Sequence, residues 1–450
     1  MVDVQPVVAC ATPPGEGAIA IVRASGQGIF DLSDQFFLPD DGSSFSSAPE
    51  RIMILGRLVD SDRVIDRPLA VRFIGPKSYT GEDMVEFHLH GNPLIVNSAL
   101  RLFLRHGCRL AEPGEFTRRA FLNGKMDLTQ AEGLGELIKA ESDAALDLAQ
   151  HQLGGELSRK FRHFRKQLVD FLALLELELD FVQEGYELLD YDQLDQTIQK
   201  LRDQVDQILS SYRSGDLLRR GPRILLLGKP NAGKSSLFNA ILGYDRSLVS
   251  QIPGTTRDYI EERIYYRGVA LHLLDSAGLR QTSDAIEAEG VSRVYNLIPL
   301  ADHILYLIDG ALHPHDLQAE LRSLSDLSQA YPQNQFYPVY TKADILPSTL
   351  YTDDHISIHQ PLSVQRLLDA IISRYSMSTT SRLVLLSQRQ CHLLQTIQNL
   401  LSTISPLSSP STELLSSDLR SLLHPLSELT GEVTNEDILD AVFSGFCIGK

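Results

Sequence analysis

The chain has 450 residues, a formal net charge of −17, 43% hydrophobic residues and 22% charged residues. At about 150 residues per domain the length suggests roughly three domains, and the composition excludes general disorder, a collagen-like repeat and a disulfide scaffold. No apolar run approaches the roughly 20 residues of a membrane span, and a secretory signal is not expected from Met1-Val2-Asp3-Val4-Gln5-Pro6.

The four cysteines, Cys10, Cys108, Cys391 and Cys447, are widely dispersed. They predict a reducing compartment and no zinc site. An acidic chain cannot hold nucleic acid through its overall field, so such a partner needs a local basic patch. Candidates are Arg159, Lys160, Arg162, Arg165 and Lys166 in one segment and Arg219, Arg220 and Arg223 in another. The plainer reading of both is a solvated helix face or a linker.

Residues 1 to about 125 carry short alternating runs broken by Gly and Pro, the pattern of strands. Ile19 to Arg23 is one. In Met84 to His90, a period of two sends Val85, Phe87 and Leu89 to one face and Glu86, His88 and His90 to the other. The H-x-H pair lacks the spaced carboxylate or cysteine that would make it a metal site.

From about residue 127 the period becomes helical. Leu168, Phe171, Leu172, Leu175 and Leu179 share one face, as do Leu194, Ile198, Leu201, Val205 and Ile208. Helical stripes return from Leu383 to Leu401 and from Leu414 to Leu423, with the Ser/Pro-rich stretch Ser402 to Ser417 expected as a loop. Apolar stripes need partners. The simplest arrangement packs the two helical stretches together and inserts residues 221–375 between them.

The inserted segment alternates strand and helix. Ile224–Leu227, Ile304–Ile308 and Phe336–Tyr340 predict buried strands, Ile260–Tyr266 and Ala270–Leu274 a hairpin about Arg267-Gly268, and helices start near Ser235 and Val364. An open, mostly parallel sheet with helices on both faces follows.

Gly228-Lys229-Pro230-Asn231-Ala232-Gly233-Lys234-Ser235 fits G-x-x-x-x-G-K-[ST], after a strand and before a helix. Its glycines let backbone N–H groups curl round a phosphate, and the helix N-terminus adds partial positive charge. Lys234 can reach the outer phosphates and the Ser235 hydroxyl can ligate magnesium. Asp275-Ser276-Ala277-Gly278 ends a buried strand, placing a carboxylate near the magnesium shell. Thr341-Lys342-Ala343-Asp344 ends another, where Asp344 can accept from guanine N1 and N2. Together they predict a guanine-nucleotide site.

Between them, Gly254-Thr255-Thr256-Arg257-Asp258 is a polar loop, and Thr256 can give magnesium a second hydroxyl. Leu279 stands where Ras-type enzymes place a water-orienting glutamine. Glu287 is the candidate to replace it. Arg257 and Arg280 lie near, but Asn231 suggests another charge-neutralising device, a monovalent cation in a cage of neutral oxygens.

Gly-Lys-Pro-Asn-Ala-Gly-Lys-Ser, Gly-Thr-Thr-Arg-Asp and Asp-Ser-Ala-Gly-Leu-Arg resemble the TrmE-Era-type GTPases. Phe446-Cys447-Ile448-Gly449-Lys450, Pro113 to Thr117, Phe121 to Glu132 and Ala11 to Gly15 narrow this to the tRNA-modification GTPases of that family. The resemblance runs from about residue 7 to Lys450. It implies a multidomain α/β plus α+β protein: a P-loop GTPase domain (221–375) inserted in an all-α helical domain (126–220 and 376–450), preceded by an α+β tetrahydrofolate-binding and dimerisation domain (1–125).

It implies a cytoplasmic homodimer that joins the flavoprotein MnmG (GidA) in a heterotetramer. With GTP/GDP, tRNA, K⁺, Mg²⁺ and 5-formyltetrahydrofolate or a related tetrahydrofolate, that complex adds a carboxymethylaminomethyl-type group at carbon 5 of the wobble uridine. By the same resemblance Asn231, Ser250, Ile252 and Thr255 match the potassium positions, Ser235 and Thr256 the magnesium positions, and Glu287 the water-positioning carboxylate. Gly228, Asn231, Ala232, Gly233, Lys234, Ser235 and Ser236 match the nucleotide loop. Ser250, Gln251, Ile252, Pro253, Gly254, Thr255 and Thr256 follow, then Asp275, Ser276, Ala277 and Gly278, and finally Thr341, Lys342 and Asp344. Arg23, Glu86, Lys125 and Lys450 match folate contacts.

Two departures stand out. Thr341 replaces the usual guanine-motif Asn, and the next guanine loop, usually Ser-Ala, reads Ser357-Ile358-His359-Gln360. Cys447 lies in the terminal motif, but no neighbouring base marks it as reactive. An Era-like ribosome-assembly switch is the alternative reading, against which stands the acidic balance.

Overall fold

A computed structural model of the chain describes residues 5–180, 189–243, 260–275, 296–345, 355–376, 387–408 and 411–449. These fall into two compact units. The first comprises Met1–Gly135, Gln152–Val205 and His392–Lys450, and the second Glu136–His151 and Asp206–Cys391.

The first unit holds strands β1 (Val7–Cys10), β2 (Gly17–Ser25), β3 (Phe37–Pro39), β4 (Ile54–Asp60), β5 (Arg63–Asp66), β6 (Leu69–Phe73), β7 (Met84–Gly91) and β8 (Arg109–Leu110). They form one sheet in the order β3-β4-β6-β7-β2-β1-β8, with β5 paired to β4. Strand β7 alternates as expected: Val85, Phe87 and Leu89 are buried, whereas Glu86 and His88 are half-buried and His90 is exposed. The apolar face packs on helix Pro93–Arg105 through Ala99, Leu102 and Phe103. Phe87 lies edge-on to Phe37 at 5.3 Å and to Phe103 at 5.5 Å between centroids. Each such ring, removed from water, contributes about 1.5–3 kcal/mol. This locked face fixes which way Glu86 and His88 point.

Helices Glu156–Asp180 and Thr412–Thr430 pack together in the same unit, burying Leu168 and Leu175 on one and Leu419, Leu422 and Leu426 on the other. Helix Tyr191–Arg220 carries the second stripe, with Leu194, Ile198, Leu201, Val205 and Ile208 all buried. Arg202 Nη2 donates to the carbonyls of Leu401 and Ile404 (2.6 and 3.2 Å), placing a cation on the C-terminal turn of helix Gln388–Thr403. The loop expected over Ser402 to Ser417 is shorter than the composition suggested. Helix Thr412–Thr430 begins inside it, because the Ser411 side chain accepts the Leu414 N–H at 3.2 Å and caps the first turn.

The second unit holds β9 (Arg223–Leu227), β10 (Ile260–Tyr266), β11 (Val269–Asp275), β12 (His303–Asp309) and β13 (Gln335–Thr341), in the order β10-β11-β9-β12-β13. All neighbours are parallel except the β10–β11 hairpin. Arg267 (φ 49°) and Gly268 (φ 77°) turn that hairpin, both left-handed as a type I′ turn requires.

Period two sorts the sheet's faces. Ile224, Leu226, Leu305, Leu307 and Val339 pack with helices Lys234–Leu242 and Pro361–Ser376. Leu225, Leu274 and Ile304 pack on the opposite side, toward helix Pro314–Ala330 through Leu327. Arg220, a candidate for nucleic acid, is instead tied to Asp302 through two hydrogen bonds of 2.8 and 2.5 Å. Among the described residues no helix is long and apolar enough to cross a membrane.

Candidate functional site

The parallel strands β9, β11, β12 and β13 all end at one edge of the second sheet, where an open α/β sheet binds its ligands. Gly228 to Gly233 emerges from β9 there. A Cβ on Gly228 (φ 147°) would meet the Leu307 carbonyl oxygen at 2.4 Å, so only glycine fits beside β12. Asn231 (φ 68°) and Gly233 (φ 89°) are left-handed and curl the loop. Gly233 is the N-cap of helix Lys234–Leu242 and provides no side-chain cap. The first-turn N–H groups of that helix therefore face the loop's concavity, the arrangement that takes a phosphate.

The Lys234 ammonium donates to the carbonyls of Gly228 (2.6 Å) and Lys229 (2.7 Å), which holds its charge across the loop. Ser235 and Ser236 are exposed on the first turn. Lys229 is itself anchored by the buried carboxylate of Glu320, which also accepts from Tyr306 Oη at 2.9 Å. No sequence motif signalled that anchor, since Glu320 sits on the helix face of an unrelated segment.

Thr341, the departure from the guanine motif, is buried, and its hydroxyl faces two carbonyls: Ala232 O at 2.9 Å and Ile308 O at 3.2 Å. One hydroxyl proton serves the nearer of these, so Thr341 ties β13 to the phosphate loop. Thr341→Val keeps the shape and leaves the Ala232 carbonyl without that donor. About 1–3 kcal/mol is at stake, and GDP affinity is expected to fall about tenfold. Titration with a fluorescent GDP analogue measures this; an unchanged affinity would show that the tie is irrelevant to binding.

Asp344 is exposed at the strand end, and Ser357 Oγ donates to its Oδ1 at 2.7 Å. That hydroxyl bond holds the Asp344 carboxyl below the usual aspartate range. Ser357 is placed by backbone bonds from Ile356 N to Tyr340 O (2.8 Å) and from Ala343 N to Ile356 O (3.1 Å). Ser357, from the stretch after the strand end, thus braces the aspartate. Lys342 (φ 58°) pairs with Asp309 at the end of β12.

Asp275 ends β11 beside Leu226 of β9. Ser250, Gln251, Ile252, Pro253, Gly254, Thr255, Thr256, Ser276, Ala277, Gly278 and Glu287 lie outside the described residues, as does Lys450. Of the oxygen donors expected for metals, the described part offers Asn231 and Ser235, both exposed at the loop. Hard neutral and hydroxyl oxygens beside a phosphate cradle fit alkali and magnesium ions.

The first unit contains a separate cavity of about 780 Å³ on the polar face of β7. Arg23, Glu86 and Lys125 all line it. Arg23 Nε and Nη2 each lie 2.8 Å from Glu86 Oε1, and the guanidinium sits 5.4 Å from the centroid of the Tyr79 ring. Lys125 Nζ donates to Pro76 O at 2.8 Å.

The terminal motif reaches the same place. Arg23 Nη1 donates to Gly449 O at 3.4 Å, and a Cβ on Gly449 (φ 94°) would strike the Cys10 carbonyl at 2.3 Å. Cys447 is exposed, and its carbonyl accepts from Gly114 N at 3.4 Å. Sequence reasoning missed His88, which lines the cavity; its buried Nε2 lies 3.8 Å from Glu86 Oε2 and has no hydrogen-bond partner among the described residues. Its side of the strand was legible, but not its position beside Arg23. An orphaned polar atom, a paired Arg–Glu and aromatic walls fit a folded heteroaromatic ligand with carboxylates. His90 points elsewhere, to Asp66 Oδ1 at 2.7 Å, and the described residues contain no cluster that could hold a metal through His, Cys, Asp or Glu.

Known proteins resemble the chain along its whole length. Residues 128–447 match the family described as the MnmE helical domain, and residues 6–125 the one described as GTP-binding protein TrmE N-terminus. The tRNA modification GTPase MnmE of Chlorobium chlorochromatii is 39% identical over 466 residues, covering 99% of this chain and 98% of that protein. Those of Chlorobium phaeobacteroides (40% over 473 residues; 100% and 98%) and Aquifex aeolicus (38% over 457 residues; 99% and 100%) match along the whole length too. With both of its parts matched and relatives alike from end to end, the chain belongs to the MnmE family of tRNA modification GTPases.

Proposed function

We propose that the chain is a potassium-activated GTPase that works with MnmG to add a carboxymethylaminomethyl-type group at carbon 5 of the wobble uridine of certain tRNAs, drawing the one-carbon unit from a tetrahydrofolate. Residues 1–125 bind the folate and dimerise, and the G domain (221–375) is inserted in the helical domain (126–220 and 376–450). The observation that carries this is the coexistence in one chain of a strand-end phosphate loop with a guanine-type aspartate and a cavity lined by Arg23, Glu86 and Lys125.

The substrate GTP places its β- and γ-phosphates in the loop, where the N–H groups of the first turn and the Lys234 ammonium meet them. Asp344, braced by the Ser357 hydroxyl, accepts from the guanine N1 and N2 groups. Ser235 and Thr256 hold magnesium, and Asn231, Ser250, Ile252 and Thr255 hold potassium. When bound, the two ions neutralise the charge that builds on the phosphoryl oxygens, and the folate supplies the carbon unit. Glu287 orients the attacking water in place of the glutamine that Leu279 cannot replace. In the other site Arg23, Lys125 and Lys450 meet the folate carboxylates, while Glu86 faces its ring donors.

Nucleoside analysis of tRNA from cells lacking this protein tests the reading. Wobble uridines that lose their carbon-5 substituent are expected; intact modification would refute the function.

A further inference from the structure

We propose that the cavity of the first unit takes a poly-γ-glutamyl form of its one-carbon carrier, with Arg51 and Lys77 binding carboxylates beyond the first glutamate. The inference rests on the folate reading of that cavity.

Four permanent cations line the cavity, Arg23, Arg51, Lys77 and Lys125, against the single carboxylate of Glu86. This is a local excess of positive charge on a chain of net charge −17. Arg23 is matched by Glu86. The other three form no ion pair among the described residues: Lys125 Nζ donates to Pro76 O at 2.8 Å, Arg51 Nη2 donates to Lys77 O at 2.6 Å, and the Lys77 ammonium is exposed.

A monoglutamyl folate carries one pair of carboxylates, and Arg23, Lys125 and Lys450, assigned to them in the folate reading, are enough to meet them. Arg51 and Lys77 remain, and the Arg51 guanidinium is held against the Lys77 main chain. Arg51 is itself fixed by its N–H, which donates to Arg72 O at 2.9 Å on β6. Each further γ-linked glutamate adds one carboxylate on a flexible stem, the charge and reach that two exposed cations lining the cavity accept. The volume, about 780 Å³, falls in the upper part of the roughly 300–1,000 Å³ range of small-molecule sites and leaves room for such an extension.

Isothermal titration of the full chain with 5-formyltetrahydrofolate as its mono- and triglutamate tests this. The triglutamate is expected to bind at least ~10-fold tighter, an advantage that shrinks as salt is raised. R51Q/K77Q is expected to bring the two ligands within about twofold of each other, and K77Q alone, which removes no hydrogen bond of the fold, to remove about half of the advantage on a logarithmic scale. Equal affinities in the parent chain would overturn the extended subsite and leave the folate reading standing. An advantage that survives in R51Q/K77Q would overturn its assignment to these two side chains. Failure of both ligands to bind would overturn the folate reading and this inference with it.

Discussion

Asp344→Asn is expected to lower GTP affinity about 100-fold while raising affinity for xanthosine triphosphate. Asp344 presents an ionised carboxylate, braced on one oxygen by the Ser357 hydroxyl at 2.7 Å. Guanine offers two N–H donors to such a group, and bonds to a charged acceptor are the strong ones. An amide offers one acceptor and a donor, so one guanine N–H meets a like group and is left unsatisfied. Xanthine carries a carbonyl where guanine carries its amino group, and the new amide N–H suits it. Because Ser357 donates to the carboxylate from the side, Ser357→Ala is expected to weaken GTP by a smaller factor, about three- to tenfold. Competition titrations with both nucleotides measure the two variants. Undiminished GTP affinity in Asp344→Asn would remove this strand end from the guanine site.

Glu287→Ala is expected to bind GTP as the parent chain does and to hydrolyse it at least ~100-fold more slowly, the usual penalty for losing a group that handles the attacking water. The reasoning starts from Leu279. A branched alkyl chain cannot hold water, so the chemistry needs a polar group from elsewhere. Because Glu287 contacts the water and not the nucleotide in this reading, turnover falls without a change in affinity. Single-turnover hydrolysis beside nucleotide titration separates the two. Parent-like turnover in the variant would exclude the carboxylate from water positioning.

What could be read from sequence was what repeats or is local. The face of β7 that carries Glu86 and His88 followed from a period of two, and the apolar stripes of the long helices from a period near four. The phosphate loop was legible because its geometry is set by glycines within eight residues. What stayed hidden depends on contacts between distant segments. Thr341 read as a departure from the usual guanine-motif Asn, and its hydroxyl reaches back to Ala232 and ties β13 to the phosphate loop. Ser357 read as the start of an atypical loop, and only backbone pairing beside β13 sets it against Asp344. Arg220 read as part of a basic segment, more plainly a solvated helix face or a linker, and is held by Asp302. Arg23 and Gly449 meet although 426 positions separate them, a proximity no spacing rule supplies. The helix start at Ser411 did carry a local signal, a capping serine, which the serine-rich composition around it masked.

The proposal that a monovalent cation, caged by Asn231 and its neighbours, does the work of an arginine finger is tested most directly by GTP hydrolysis of the purified chain in potassium and in sodium at equal ionic strength. Sodium prefers a smaller cage, so turnover in potassium is expected to exceed that in sodium by at least ~10-fold, with Asn231→Ala erasing the difference. Equal rates in the two salts would contradict it.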